Sequence, residues 1–344
     1  MADKMIREAI ALLAGRKSLS RDMAVKVMEE IMDGSATPAQ IGAFLVALSL
    51  KGEAPEEIAG MAAVMRAMAI PVNAGGPLLD VVGTGGDGLN TLNISTTAAF
   101  VVAGTGVKVA KHGNRASSGK CGSADVLEKL GVRISLTAGQ VEKCITEAGI
   151  GFIFAPAFHP AMKQVAGARR EIGIRTVFNL LGPLTNPAGA EYMLLGVPGI
   201  EVAERIVPAL QYLGYKHVLV VSGLNGMDEV TTTDSTLVWE IKNGGVSDPV
   251  WIKPEDYGIE RGKIDDIRGG TAEENAAKMA AVLQGECGPA RDVVMLNAAA
   301  ALLAAEKAGS LAEGLKLAQH SLDSFQALSR LEKLIDLTNS FQDG

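Results

Sequence analysis

Cysteine is scarce in this chain. There are three in 344 residues, Cys121, Cys144 and Cys287, spaced too widely for a CxxC pair or a metal pattern. That excludes a disulfide framework and fits a reducing cytosol, so a cytoplasmic protein is expected. Aromatic residues are only 4% of the total, which suits an Ala/Leu/Val/Gly-rich enzyme better than an interaction module. Positive charge is short too: the formal net charge is -7, leaving no broad basic stripe for nucleic acid. Long apolar runs are missing. The longest, residues 293–305, is broken by Asn297 and is too short to span a bilayer. The first seventeen residues carry charges through their apolar positions, the pattern of an amphipathic helix and not of a signal peptide. No low-complexity segment or long repeat stands out.

What is present is ample apolar material, 48% of the chain, in a length that predicts roughly two domains. The first 70 residues read as four helices and no strand. Ile6, Ile10 and Leu13 mark one apolar face, and Val27, Met28, Ile31 and Met32 another. Thr37, Pro38 and Gln40 form a capping box with Pro at N1, Gly52 stops that helix, and Pro55 opens the next. From Leu78 the character changes. LLDVV, VKVAKH, VRISL, GFIFA, YMLLGV and HVLVV are expected strands, alternating with helices that include one capped by Ser123 and one opened by Thr137 and Gln140. Such alternation implies a mostly parallel central sheet with flanking helices, an α/β domain beside a small all-helical one. Residues 159–186 interrupt the alternation with a helical excursion, and after Thr271 the chain is largely helical.

Residues 83–123 gather nearly every group that could grip a phosphate. GTGGDGLNTLNIST supplies glycines, whose backbone N–H groups can approach an anion closely, and then Thr91, Asn93, Ser95, Thr96 and Thr97. Lys108, Lys111, Arg115 and Lys120 face one acid, Asp87, so the window carries +3. A small anionic ligand is the reading that follows. The run from Gly83 to Gly88 satisfies GxGxxG, but no acid stands about 20 residues on to hold a ribose, which counts against a dinucleotide. No GK[ST] closes the turn, so it is not a Walker loop. A plain tight turn explains two or three glycines, not four with Asp87 and the hydroxyls. Asn93 to Thr96 lie where a helix starts, which serves either a simple N-cap or an anion at the positive end of the dipole. Lys111, His112, Gly113, Asn114 and Arg115 lead into Ala116, Ser117, Ser118 and Gly119, a second loop at a strand end. Asp228 and Glu229 follow HVLVV, either as a solvated acidic turn or as carboxylates for Mg²⁺ shared with phosphates. Arg169 and Arg170 sit on the excursion, and spacing alone does not choose which could clasp a carboxylate.

DVVGTGGDGLNTLNIST, VKVAKHGNRASSGKCGSADVLEKLG, GIRTVFNLLGPLTNPA and GMDEV, in that order, resemble the anthranilate phosphoribosyltransferase family of tryptophan biosynthesis. The resemblance runs from the N-terminal helices to the C-terminus. It implies the nucleoside phosphorylase/phosphoribosyltransferase-like fold, with a small helical domain over residues 1–72, joined by about 160–187, and a large α/β domain over 73–159 and 188–344. It implies that the amine of anthranilate displaces pyrophosphate from C1 of 5-phosphoribosyl 1-pyrophosphate (PRPP) with inversion, in a stand-alone transferase. By the same resemblance, Gly83, Gly86, Asp87, Thr91, Asn93, Ile94, Ser95 and Thr96 hold PRPP. Lys111, His112, Gly113, Asn114, Arg115, Ala116, Ser117, Ser118, Gly119 and Ser123 complete that cradle. Ser95, Asp228 and Glu229 bind Mg²⁺, and Gly83, Asn114 and Arg169 contact anthranilate. A homodimer through the helical domain is implied as well. Cys121 departs from the Ser expected there in many relatives, and a thiol there could make the loop sensitive to oxidation.

Two rivals share the scaffold. A pyrimidine nucleoside phosphorylase has a related glycine-rich loop, but here the Lys-His pair continues as GNR, and the GMDEV carboxylates suit a metal-bound diphosphate. A non-catalytic nucleic-acid binder is expected to show a broad basic face and degraded motifs, and this chain has neither.

Overall fold

The computed structural model describes residues 3–116 and 119–342. Four helices come first: α1 (Asp3–Ala14), α2 (Arg21–Met32), α3 (Pro38–Lys51) and α4 (Pro55–Ala67). The predicted capping box of α3 forms, with Thr37 Oγ1 accepting from Gln40 N at 3.3 Å and Gln40 Oε1 from Thr37 N at 2.8 Å. Gly52, at φ +85°, ends that helix in a conformation that side chains disfavour.

The α/β part then runs β1 (Leu79–Gly83), α5 (Ile94–Gly104), β2 (Val109–Gly113), α6 (Ser123–Lys129), α7 (Ala138–Ala148) and β3 (Ile150–Phe154). The helical excursion follows as α8 (Ala155–Phe158), α9 (Lys163–Ile172) and α10 (Val177–Leu181). Next come β4 (Tyr192–Gly196), α11 (Ile200–Leu210), β5 (His217–Gly223), β6 (Thr236–Lys242), β7 (Gly245–Val246) and β8 (Val250–Ile252). The chain closes with α12 (Ala272–Leu283), α13 (Pro289–Ala304), α14 (Leu311–Asp323) and α15 (Gln326–Ser340). The sheet order is β3-β2-β1-β4-β5-β6-β7, with β8 beside β6. The first five strands are parallel and β6 to β8 are antiparallel.

Period-2 alternation divides the sheet between two cores. Leu194, Leu219 and Val221 face α5, α7 and the C-terminal helices. Met193, Leu195, Val218 and Val220 face the other way, onto a core shared with α1–α4, α9, α10 and α11. The excursion therefore packs with the N-terminal helices, as Val165, Val177 and Leu181 join Leu45, Leu48 and Met61 in one core. Among the described residues, no helix is long and apolar enough to cross a membrane.

Two local expectations need correction. VRISL is not a strand. Val132, Ile134 and Leu136 are buried, so the alternation is real, but Arg133 N donates to Thr338 Oγ1 of α15 at 3.2 Å instead of joining a ladder. Ser123 is not the cap of its helix. Gly122 holds that place, and Asp125 Oδ2 reaches back to Gly122 N at 2.9 Å. Beyond HVLVV, β6 turns back against β5 along seven residues and extends the sheet.

Candidate active site

Strand order reverses between β1 and β4, whose neighbours run outward in opposite directions, and such a switch point opens a crevice at the carboxyl ends of the strands. Gly83 of β1 and Gly196 of β4 end their strands as register partners. A Cβ on Gly83 would stand 2.5 Å from Asp228 Oδ2, and one on Gly196 would overlap the Asp228 carbonyl oxygen. The paired glycines thus leave a notch in the sheet edge, and Asp228 fills it. The turn after β5 delivers Asp228, with Gly223 N donating to Met227 O at 2.9 Å. Asn297 of α13, fully buried, pins the next stretch: its Oδ1 accepts from Val230 N at 2.9 Å and its Nδ2 donates to Val230 O at 2.8 Å. Asn297 read in the sequence only as a break in an apolar run. A lone amide in such a run was the signal for this pin.

The glycine loop is held at both ends. Thr84 N donates to Gly196 O at 2.9 Å, and Gly85 N to Asp228 Oδ2 at 2.7 Å. Arg175, just ahead of α10, donates from Nη2 to Gly85 O at 3.1 Å and lies over Gly86 so closely that a Cβ there would overlap its guanidinium. The sequence reading assigned Arg175 no role. Asp87 Oδ1 accepts from Leu89 N at 3.1 Å, and Thr91 forms an antiparallel bridge to Arg268. Asn93 occupies the N-cap position of α5, yet its side chain makes no capping bond. A carboxylate serves the helix start instead, with Glu229 Oε1 accepting from Ser95 N at 3.1 Å. Ile94 and Thr96 are buried.

The second loop is less cationic than its composition. Lys111 is buried, with Nζ donating to Val81 O at 2.6 Å and to Ser95 Oγ at 3.4 Å. Burial pulls its pKa down, and the charges of Asp80 and Glu229 oppose that shift. Arg115 Nη1 and Nη2 clasp Glu128 at 2.6 and 3.0 Å, and Nη1 also meets Asp125 at 3.0 Å. Lys108 donates to Gly75 O at 3.3 Å. Three of the four bases in the window are therefore already engaged, and its +3 is largely answered. Gly113 has no room for a side chain against Ser123 and Phe152. Asn114 O accepts from Ser123 Oγ at 3.2 Å, and Ala116 N donates to Asp125 Oδ2 at 3.0 Å. Gly119 is exposed, and Ser117 and Ser118 lie outside the described residues.

Beneath these loops sits a buried polar layer. Asp80 accepts from Asn186 Nδ2 at 2.7 Å and from His112 N at 3.3 Å, and burial pushes it up to about 6 against the pull of Lys111. The rings of His112 and His159 stand 5.2 Å apart, and both Nε2 atoms are buried without a hydrogen-bond partner. Burial first, and then the neighbouring His159, depresses His112 to about 3, while burial depresses His159 to about 4. Both imidazoles are neutral at pH 7. Their folded pKa values lie below the ordinary 6.5, so the unfolded chain takes up protons first and stability is lost as pH falls below 6.5. His159→Asn is expected to recover on the order of 3 kcal/mol of that loss by about pH 4. Denaturant unfolding at several pH values measures it, and an unchanged acid slope contradicts it.

Asp228 and Glu229 are partly buried. Burial and then the charge of Asp87 push Asp228 up to about 6. Burial and then Asp228 raise Glu229 well above the usual range, with Lys111 opposing. Among the described residues, no group of three or more His, Cys, Asp or Glu has the geometry of a metal cage. Two adjacent carboxylates, one of them bonded to Ser95 N, fit Mg²⁺, which keeps waters and takes substrate phosphates for its remaining positions. A divalent cation there would answer the negative charge that these acids impose on one another.

Of the paired arginines, Arg170 is exposed, while Arg169 is partly buried with its guanidinium 5.2 Å from the Phe178 ring centre. Burial lowers the pKa of Arg169. The contacts described for Arg169 do not reach Gly83 or Asn114. Cys121 Sγ donates to Asn93 Oδ1 at 3.4 Å, and burial with Asp125 pushes the thiol up to about 11. A thiol held protonated in this way is poorly reactive, which counters the expected sensitivity to oxidation.

Comparison with known proteins agrees with this architecture. Residues 7–69 match the helical bundle domain of the glycosyl transferase family, and residues 75–328 match its a/b domain. An anthranilate phosphoribosyltransferase of Dehalococcoides mccartyi is 55% identical over 341 residues, covering 99% of this chain and 100% of the relative. The crystal structure of the Thermus thermophilus enzyme of that name superposes with a TM-score of 0.91 at 45% identity, covering 96% of this chain and 99% of that one. The Saccharomyces cerevisiae enzyme, solved in complex with PRPP and Mg, gives a TM-score of 0.84 at 30% identity, with 93% of each chain covered. With its glycine notch, its two loops and its carboxylate pair on a scaffold shared over nearly the whole length, the chain belongs to the anthranilate phosphoribosyltransferase family.

Proposed function

We propose that this chain joins anthranilate to PRPP, giving N-(5-phosphoribosyl)anthranilate and pyrophosphate in L-tryptophan biosynthesis, in the cytoplasm. The observation that carries the reading is the Asp228–Glu229 pair, seated at the switch point against both the glycine loop and the start of α5. Gly83, Gly86, Asp87, Thr91, Asn93 and Ser95 line the first arm of the PRPP cradle, with Ile94 and Thr96 offering backbone only. The segment from Lys111 to Gly119, with Ser123, is the second arm. Ser95, Asp228 and Glu229 would hold Mg²⁺, whose chemistry is to stabilise charge on the departing pyrophosphate.

The chain's own groups orient and neutralise. Lys111 sets a buried Nζ donor behind Ser95, and the N–H groups of the loops present fixed donors where charge develops. Arg169, the more buried member of its pair, is assigned the carboxylate of anthranilate, and Gly83 and Asn114 are its further contacts. An aromatic amine needs little deprotonation, so holding it against C1 supplies much of the barrier reduction and no dedicated base is assigned. A second copy of the chain is assigned to the groove between α1 and α3, where Ile10, Ala14, Val46 and Leu50 form an apolar lining and Leu50 is 73% exposed.

Anthranilate fluorescence tests the reaction directly. The expected result is loss of signal only when PRPP and Mg²⁺ are both supplied. Phosphorolysis of thymidine or uridine without Mg²⁺, in protein that leaves anthranilate untouched, transfers the reading to a nucleoside phosphorylase.

A further inference from the structure

The two arms of the cradle follow the neighbouring strands β1 and β2. Besides the Lys111–Ser95 contact, they meet through Asn93. Asn93 of the first arm donates from Nδ2 to Cys121 O of the second at 3.3 Å, and its Oδ1 accepts from Cys121 Sγ at 3.4 Å. The same Oδ1 accepts from Asn275 Nδ2 at 2.9 Å. Asn275, on the first turns of α12, is only 2% exposed. Its Oδ1 in turn accepts from Gly270 N at 2.7 Å, so the amide cannot flip without losing both bonds. The segment that precedes α12 is itself bound to the first arm. Leu92 N donates to Ile267 O at 3.0 Å and Gly269 N to Asn90 O at 2.7 Å. Gly269 has no room for a side chain, because a Cβ there would overlap the Thr91 carbonyl oxygen.

We infer that Asn275 is a positioning residue for PRPP. By fixing the orientation of the Asn93 amide, it sets the separation of the two arms that close on the phosphates. The inference rests on the reaction proposed above and extends it to a residue that touches no substrate. A donor is required there, and not merely a polar group. Asn93 must present its oxygen to Asn275 and Cys121 and its nitrogen to the Cys121 carbonyl, and the donor at position 275 makes the shortest of these bonds. The wrong orientation sets two acceptors against each other in a buried place, which is costly.

Asn275→Asp separates this role from simple structure. It keeps the acceptor for Gly270 N and replaces the donor facing Asn93 with a second acceptor. The expected result is a rise of about tenfold in KM for PRPP, and in the Kd of PRPP with Mg²⁺ by calorimetry, a disruption of about 1.4 kcal/mol. KM for anthranilate and kcat should stay within about twofold, since neither reacting group is touched. Asn275→Ser, which restores a small donor, should recover part of the loss and serves as the variant if Asp fails to fold. Should both folded variants bind PRPP as the parent does, with only the melting temperature lowered, Asn275 is structural and the inference is overturned. Should the parent chain itself bind no PRPP, the proposed reaction falls and this inference with it.

Discussion

Asp228→Asn is expected to lower turnover by a factor of about a hundred or more while raising the melting temperature in buffer without Mg²⁺. The two effects share a cause. Asp228 sits in the glycine notch with Asp87 and Glu229 close by, and both burial and those like charges disfavour its ionised form. The folded chain holds that charge at a cost that unfolding relieves. Asn has the same shape, and its Oδ1 can still accept from Gly85 N, so the substitution removes the charge without opening a cavity. What it also removes is an anionic ligand for the metal. Differential scanning calorimetry at pH 7.5, with and without Mg²⁺ and PRPP, measures both sides. The variant should melt higher than the parent alone and gain less from the ligands. A variant that melts lower and still turns over anthranilate would show that Asp228 is an ordinary structural carboxylate.

Gly196→Ala is the second large effect. The added methyl overlaps a backbone oxygen, that of Asp228, and not the end of a flexible side chain. Relief requires β4 or the carboxylate turn to move, and Asn297 anchors the far end of that turn. Overpacking of this kind costs about 1–3 kcal/mol, and a carboxylate displaced by about 1 Å can lose roughly 10²-fold in rate. A drop of that order in kcat/KM is expected, with some loss of thermal stability. Gly139→Ala is the matched control. It lies on α7 with nothing within 4 Å of the new methyl, and should leave activity unchanged. Equal behaviour of the two variants would mean that the notch is not needed.

The four N-terminal helices were legible because capping boxes, prolines and stop glycines act locally, and the two loops because their composition is unusual over short stretches. Gly83 was legible as a site residue, but its clearest visible role is to seat Asp228, which depends on a strand pairing no local pattern encodes. Gly196, Arg175 and Asn275 stayed hidden for the same reason. Each is a single residue whose partner lies tens to hundreds of positions away, and nothing in its own neighbourhood marks it. VRISL failed in the opposite direction. Its alternation reports burial, and burial is shared by strands and by extended segments whose N–H groups go to side chains.

The helical layer is assembled from two pieces of chain, and protein synthesis delivers them at different times. Residues up to the end of α4 emerge first, but Val165, Ala168, Val177 and Leu181, which close their core, follow about a hundred positions later. At roughly 5–20 residues per second, that is an interval of about 5–20 s. Throughout it the nascent α2, α3 and α4 carry the apolar surface that the excursion later covers. Codon usage across the first strands, chaperone capture of the young chain, and the behaviour of fragments cut ahead of Lys163 all act on that interval.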